Sequence, residues 1–232
     1  MTGHIVAIGG GGLSATAGDR RLRRYLLELT GREKPNICFV GTASGDDDSY
    51  AEWFSASFSG LPCTISRLTV LKPMPRSTAE HLAQQDLVYV GGGNAFYMLV
   101  LWRSYGIDAH LRAAWERGAV MCGVSAGSMC WFESGVRQVS ESEFRPLSPF
   151  LSLLSGSNCP HYSSQPARRD AYLDLVAGGR LAPGYAIGDG AALHFSGTQL
   201  SDVLAFRPHA AAYWVEPVGG GAREEQLTSR PL

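Results

Sequence analysis

Ala119-Val120-Met121-Cys122-Gly123-Val124-Ser125-Ala126-Gly127-Ser128-Met129-Cys130 is the stretch that decides how this chain is read. It starts as an apolar run with the length of a buried strand. Gly123-Val124-Ser125-Ala126-Gly127 then fills a G-x-S-x-G pattern, in which a serine sits on a sharp turn between strand and helix. A residue held in a strained backbone conformation at a strand end needs small neighbours, because their β-carbons would collide with the turn and with an approaching substrate. Ser125 Oγ would then stand clear of the sheet at the amino end of a helix. Free backbone N–H groups there, that of Ala126 first, can stabilise an oxyanion. The same letters also describe a small-residue turn that merely joins a strand to a helix, so the pattern needs partners elsewhere in the chain.

Working outward, strands alternate with helices. His4-Ile5-Val6-Ala7-Ile8 reads as a first buried strand closed by Gly9-Gly10-Gly11-Gly12, and 19–29 has the 3.6-residue spacing of an amphipathic helix. Neither a G-x-x-x-x-G-K-[ST] loop nor a G-x-G-x-x-G with a ribose-binding acid follows, which argues against a nucleotide site. Asn36-Ile37-Cys38-Phe39-Val40 is a second strand; Asp46-Asp47-Asp48 precedes a helix over 50–58. Those aspartates lack calcium-loop spacing and suit an acidic helix start, so no metal is expected. Cys63-Thr64-Ile65-Ser66-Arg67-Leu68 reads as a third strand, Lys72-Pro73-Met74-Pro75 as a rigid turn, and 77–84 as a short helix capped by Ser77 or Thr78. Leu87-Val88-Tyr89-Val90 runs into Gly91-Gly92-Gly93-Asn94 and a helix over 95–102, and a further helix over 107–117 leads back to the serine strand.

This alternation predicts an α/β fold with a doubly wound, mostly parallel sheet and helices on both faces. In such sheets the turns at the carboxyl ends of the strands line the ligand crevice. Gly92 or Gly93 is therefore a candidate second oxyanion donor, with a flexible helix start as the plain alternative. Periodicity fades from 131 to 157, which reads as an irregular excursion with short antiparallel strands. A helix over 170–176, a short strand ending at Asp189, and three closing strands follow. Residues 219–232 read as a mobile tail or edge material, and the 232 residues as a single α/β domain.

Composition bounds the rest. Lys and Arg total 20 against 21 Asp and Glu, a formal net charge of −1, so no global basic field attracts nucleic acid or an anionic membrane. The amino terminus turns to glycine before a signal-length apolar segment forms, and no run reaches the roughly 18 apolar residues of a membrane span. The five cysteines are scattered without a C-x-x-C pair, which predicts free thiols and a reducing, cytoplasmic setting.

Serine chemistry needs a base for the Oγ proton and an acid to orient that base. Of the six histidines, His4 begins a strand, His81 and His110 lie on helices ahead of the nucleophile, and His194 and His209 fall in or beside late strands. His161, in Cys159-Pro160-His161-Tyr162, sits in a loop without an obvious packing role. Asp189, between glycines at a strand end, is the natural orienter. The resulting order Ser, His, Asp differs from the Ser, Asp, His order of α/β-hydrolases. Cys122 and Cys130 lie near Ser125, but neither occupies the turn position.

Gly91-Gly92-Gly93-Asn94, Gly123-Val124-Ser125-Ala126-Gly127, Pro160-His161-Tyr162 and Gly188-Asp189-Gly190, in this order, resemble peptidase E, the aspartyl dipeptidases of the S51 serine peptidases, which also include cyanophycinases. The resemblance implies a fold similar to class I glutamine amidotransferases, a serine mechanism without a cofactor, and a homodimer acting on a small peptide. It implies Ser125 as nucleophile, His161 as base, Gly92 or Gly93 with Ala126 as oxyanion donors, and Asn94 and Arg168 as substrate-binding residues. Asp189 stands where the best-known members carry glutamate. Arg168, within Pro166-Ala167-Arg168-Arg169, falls near the arginine expected to receive an aspartate side chain, and a surface arginine at a helix start is its plain alternative. The implied activity is hydrolysis after an amino-terminal aspartate through an acyl-enzyme. The alternatives are a cyanophycinase-like enzyme acting on β-aspartyl-arginine polymer, or a non-catalytic binding protein on the same scaffold.

Overall fold

The structure is a computed structural model that describes residues 3–11, 13, 20–72, 74 and 76–232. Gly12, the Asp19 end of the first expected helix, and Pro73 and Pro75 of the expected rigid turn lie outside the described residues. Five parallel strands form one side of the larger sheet: β1 (His4–Ile8), β2 (Asn36–Val40), β3 (Thr64–Leu68), β4 (Leu87–Val90) and β5 (Val120–Val124). They lie in the order β1-β5-β4-β2-β3. The crossovers carry α1 (Arg21–Leu29), α2 (Asp48–Ser57), α3 (Thr78–Leu82), α4 (Ala95–Tyr105) and α5 (Ile107–Glu116).

Strand periodicity sorts the apolar side chains into two cores. Val6, Ile8, Phe39, Tyr89 and Cys122 face α1 and α2, whereas Ile5, Ala7, Val40, Val90 and Met121 face α3, α4 and α5. β1, β2, β4 and β5 are thus buried on both faces, as continuous apolar runs require, whereas the edge strand β3 is largely uncovered, and the sheet is doubly wound. α2 is held by stacked aromatics, with ring centroids 4.7 Å apart for Phe39 and Phe54 and 4.9 Å for Phe54 and Tyr89. Each fully buried ring of this kind contributes about 1.5–3 kcal/mol. The three aspartates are spent locally. Asp46 accepts from Val70 N and Leu71 N, Asp47 caps α2 through Tyr50 N, and Asp48 pairs with Arg67 and Lys72. Ser77 closes a capping box with Glu80 at the start of α3.

After the short helix α6 (Ala126–Met129) come β6 (Ser134–Gln138), β7 (Phe144–Leu147), β8 (Ser157–Pro160), α7 (Pro166–Ala177), β9 (Gly184–Ile187), β10 (Ala191–Ser196), β11 (Gln199–Ala205), β12 (Ala212–Val218), β13 (Gly221–Gln226) and β14 (Arg230–Pro231). β10, β11 and β14 extend the large sheet from β1, with β10 antiparallel to it. The remaining strands make a second sheet, in the order β13-β12-β9-β8-β6-β7. The larger sheet is the doubly wound, mostly parallel sheet that the alternation predicts, and the second sheet is an addition to it. The second sheet goes unseen in the sequence because one of its inner strands is Ser157-Asn158-Cys159-Pro160, fully buried yet half polar. Ser157 Oγ reaches Tyr172 Oη at 2.7 Å and the Ala182 carbonyl at 2.6 Å, so tertiary hydrogen bonds do what apolar alternation does elsewhere. The stretch 219–232 supplies an edge strand to each sheet. Among the described residues no helix is long and apolar enough to cross a membrane.

Candidate active site

The G-x-S-x-G turn closes β5. Ser125 has φ 57° and ψ −113°, a conformation that non-glycine residues rarely adopt. Its neighbours permit it. A β-carbon on Gly123 would lie 2.1 Å from the Gly127 carbonyl oxygen, and one on Gly127 would lie 2.2 Å from that of Val90. Ser128 N and Met129 N donate to the Ser125 carbonyl, and Ala126 N–H, in the first turn of α6, has no acceptor among the described residues.

His161 directly follows β8 and also has a positive φ, 58°. Its Nε2 lies 2.9 Å from Ser125 Oγ, and its Nδ1 lies 2.8 Å from Asp189 Oδ1. Asp189 lies two residues past the end of β9, where its N–H donates to Ser163 Oγ at 3.1 Å. Gly10 bridges to Asp189 in parallel register and accepts from Gly190 N at 3.0 Å. A β-carbon on Gly10 would sit 1.8 Å from Asp189 Oδ1 and 2.5 Å from His161 Nδ1. The first glycine loop therefore makes room for the histidine and aspartate, a role its sequence does not announce.

The second glycine turn reaches the same place. Gly92 lies against the serine, 3.3 Å from a built β-carbon to Ser125 Cβ. Its N–H donates to Tyr50 Oη at 3.3 Å, whereas Gly93 N–H has no acceptor among the described residues. Gly93 has φ 140°, and a β-carbon there would meet the Ala43 carbonyl oxygen at 2.2 Å. That same carbonyl accepts Asn94 N at 2.8 Å, and Trp102 Nε1 fastens α4 to Thr42 Oγ1 at 3.1 Å, so the turn is held from behind. Asn94 spends its side-chain oxygen on Tyr97 N as the cap of α4. Cys122 and Cys130 are buried, and burial pushes both thiols well above their ordinary range, which leaves neither suited to nucleophilic attack.

A family model, Peptidase family S51, matches residues 5–203. The chain belongs to peptidase family S51. It is a serine-type peptidase. The uncharacterized peptidase YgaJ of Bacillus subtilis (strain 168) is 44% identical over 214 residues, 91% of each chain. Among solved structures, a peptidase from an acI-B1 Actinobacterium superposes with a TM-score of 0.75 at 20% identity, over 99% of this chain and 95% of that one. A putative peptidase E protein from Listeria monocytogenes EGD-e superposes with 0.64 at 16% identity, over 89% of this chain and all of that one. At these identities the two structures show a shared fold.

A cavity of about 480 Å³ opens beside the serine of this S51 peptidase, lined by Ser125, His161, Gly93, Asn94, Arg137 and Arg168 among others. Arg168 stands in the first turn of α7 and is only 6% exposed. Its Nε donates to Gln165 Oε1 at 2.6 Å, its Nη1 donates to the Val136 carbonyl at 3.0 Å, and its guanidinium lies 5.2 Å from the Phe144 ring centre. No carboxylate pairs with it among the described residues, and burial lowers its pKa. Arg169 instead pairs with Glu224 of β13, which also receives the Tyr162 hydroxyl. Sequence reasoning did not single out Arg137, which enters the cavity from β6 with its guanidinium 4.9 Å from the Phe96 ring centre. Its own strand pattern carried no signal, because β6 acquires its place only by pairing with β7 and β8.

Proposed function

We propose that this S51 peptidase hydrolyses short peptides after an amino-terminal aspartate, through an acyl-enzyme on Ser125. His161 Nε2 takes the Oγ proton as Oγ attacks the scissile carbonyl, and Asp189 holds the imidazolium through Nδ1–H. The oxyanion receives Ala126 N–H and Gly93 N–H. His161 then returns the proton to the departing amine, the peptide C–N bond breaks, and the aspartyl ester remains on Ser125. Water, deprotonated by the same histidine, attacks that ester, releasing aspartate and restoring the serine.

The observation that carries the specificity is Arg168, buried beside Ser125 without a counter-ion among the described residues. An arginine fork suits a carboxylate, and a buried one lacking a carboxylate is most stable once a substrate supplies it. Losing one partner of such a buried charge pair costs about 2–5 kcal/mol. The expected result is that kcat/KM for Asp-Leu exceeds that for Asn-Leu by about 10²-fold or more, and that Arg168→Met collapses the ratio towards one. Because Arg168 also holds the Val136 carbonyl, the ratio is the readout, since a general weakening of the fold lowers both substrates together. Equal kcat/KM for the two dipeptides in the wild type would overturn the aspartate specificity.

A further inference from the structure

A scissile bond held at Ser125 Oγ has one residue on either side of it, and each needs a recess. Ser125 and His161 line a second cavity of about 420 Å³ that shares no other lining residue with the arginine cavity. Its other walls are Gly11, Leu13, Tyr50, Trp53, Tyr89, Gly92 and Val124, and among the described residues no Asp, Glu, Lys or Arg lines it. Tyr50 and Trp53 stand three residues apart on α2 and so present to the same side, with ring centroids 5.8 Å apart. The Tyr50 ring is fixed edge-on against Phe39 at 5.0 Å, and its hydroxyl accepts the Gly92 N–H. Trp53, although large and apolar, remains 37% exposed at the rim of this recess.

We propose that this aromatic recess receives the side chain of the residue that leaves, and that it selects a large apolar or aromatic one. The favoured substrates are then dipeptides of aspartate followed by phenylalanine, tyrosine or leucine. The inference rests on assigning the acyl residue to the Arg168 side. Preformed aromatic walls reward apolar area and offset or edge-on ring contacts, and among the described residues no carboxylate lines the recess to pair with a cationic side chain.

The test is a two-way panel: Asp-Phe, Asp-Gly, Asp-Lys, Asn-Phe and Asn-Gly with wild type and Trp53→Ala, together with calorimetric binding of Asp-Phe and Asp-Gly to Ser125→Ala. The expected result is that kcat/KM for Asp-Phe exceeds that for Asp-Gly and Asp-Lys by at least about tenfold, and that Trp53→Ala lowers the Phe-to-Gly ratio by about tenfold. A requirement for aspartate combined with equal rates for Phe, Gly and Lys would overturn the inference and leave the aspartate specificity standing. A preference for Phe over Gly that is as large after asparagine as after aspartate, with no aspartate preference, would uphold the recess and overturn the role of Arg168. If no dipeptide turns over, binding to Ser125→Ala decides: tighter binding of Asp-Phe supports the recess, and equal or undetectable binding overturns it.

Discussion

Ser125→Ala is expected to lower kcat on the order of 10⁶-fold, the scale seen when a serine nucleophile is removed from a unit that works together. The size follows from the geometry. Oγ is the atom within 2.9 Å of His161 Nε2, and neither buried neighbouring thiol can replace it. The variant should still fold. The substitution deletes one oxygen from a half-buried side chain, and the turn rests on Gly123, Gly127 and the Ser125 backbone, whose N–H donates to the Ile8 carbonyl at 3.1 Å. Its thermal midpoint should therefore stay within about 2 °C of wild type, since such a change costs at most about 0.5 kcal/mol. Dipeptide hydrolysis and thermal melts measured on the same preparation check both halves, and full activity in the variant would remove Ser125 from the mechanism.

Asp189→Asn carries the second large effect, a fall in kcat of about 10⁴-fold with KM little changed. In the proposed mechanism the carboxylate, 2.8 Å from His161 Nδ1, accepts the Nδ1 proton and so leaves Nε2 free to receive the serine proton. An amide in the same place can present its NH₂ group to Nδ1, which favours the tautomer protonated at Nε2 and disables the base. Gly10 belongs to the same argument. Its missing side chain is what allows the imidazole and carboxylate to meet, and aspartate, one methylene shorter than glutamate, reaches the imidazole because the chain at Gly10 and Asp189 is bridged so closely. Steady-state kinetics of Asp189→Asn against wild type on Asp-Leu checks the effect, and a loss of less than about tenfold would show that Asp189 does not set the tautomer.

The parts of this enzyme that could be read in the sequence are those whose physics is local. β1, β2 and β4 are apolar runs ended by glycine, β5 is an apolar run ended by the serine turn, and α2, α3 and α4 between them carry side-chain caps, so the doubly wound arrangement follows directly. Ser125 declares itself through the glycines its strained turn requires. His161 and Asp189 emerge by elimination, as a histidine without a packing role and an acid at a strand end. What stayed hidden depends on distant partners. β8 is a strand because Tyr172 and Ala182 satisfy Ser157, and nothing in Ser157-Asn158-Cys159-Pro160 itself says so. Gly10 looks like one more glycine closing β1 until Asp189 is set against it, and Arg137 and Trp53 look like ordinary surface residues until the cavities on either side of Ser125 are visible. Choosing between Arg168 and Arg169 likewise needed β13, whose Glu224 takes Arg169 and leaves Arg168 to the cavity.

The central claim is that Ser125 becomes acylated during turnover. The most direct measurement is rapid acid quenching of the wild type while it turns over Asp-p-nitroanilide, followed by peptide mapping by mass spectrometry. The account predicts an aspartyl ester on the peptide containing Ser125, absent from Ser125→Ala. An ester or thioester on another residue, or p-nitroaniline release with no acylated peptide at any quench time, would contradict it.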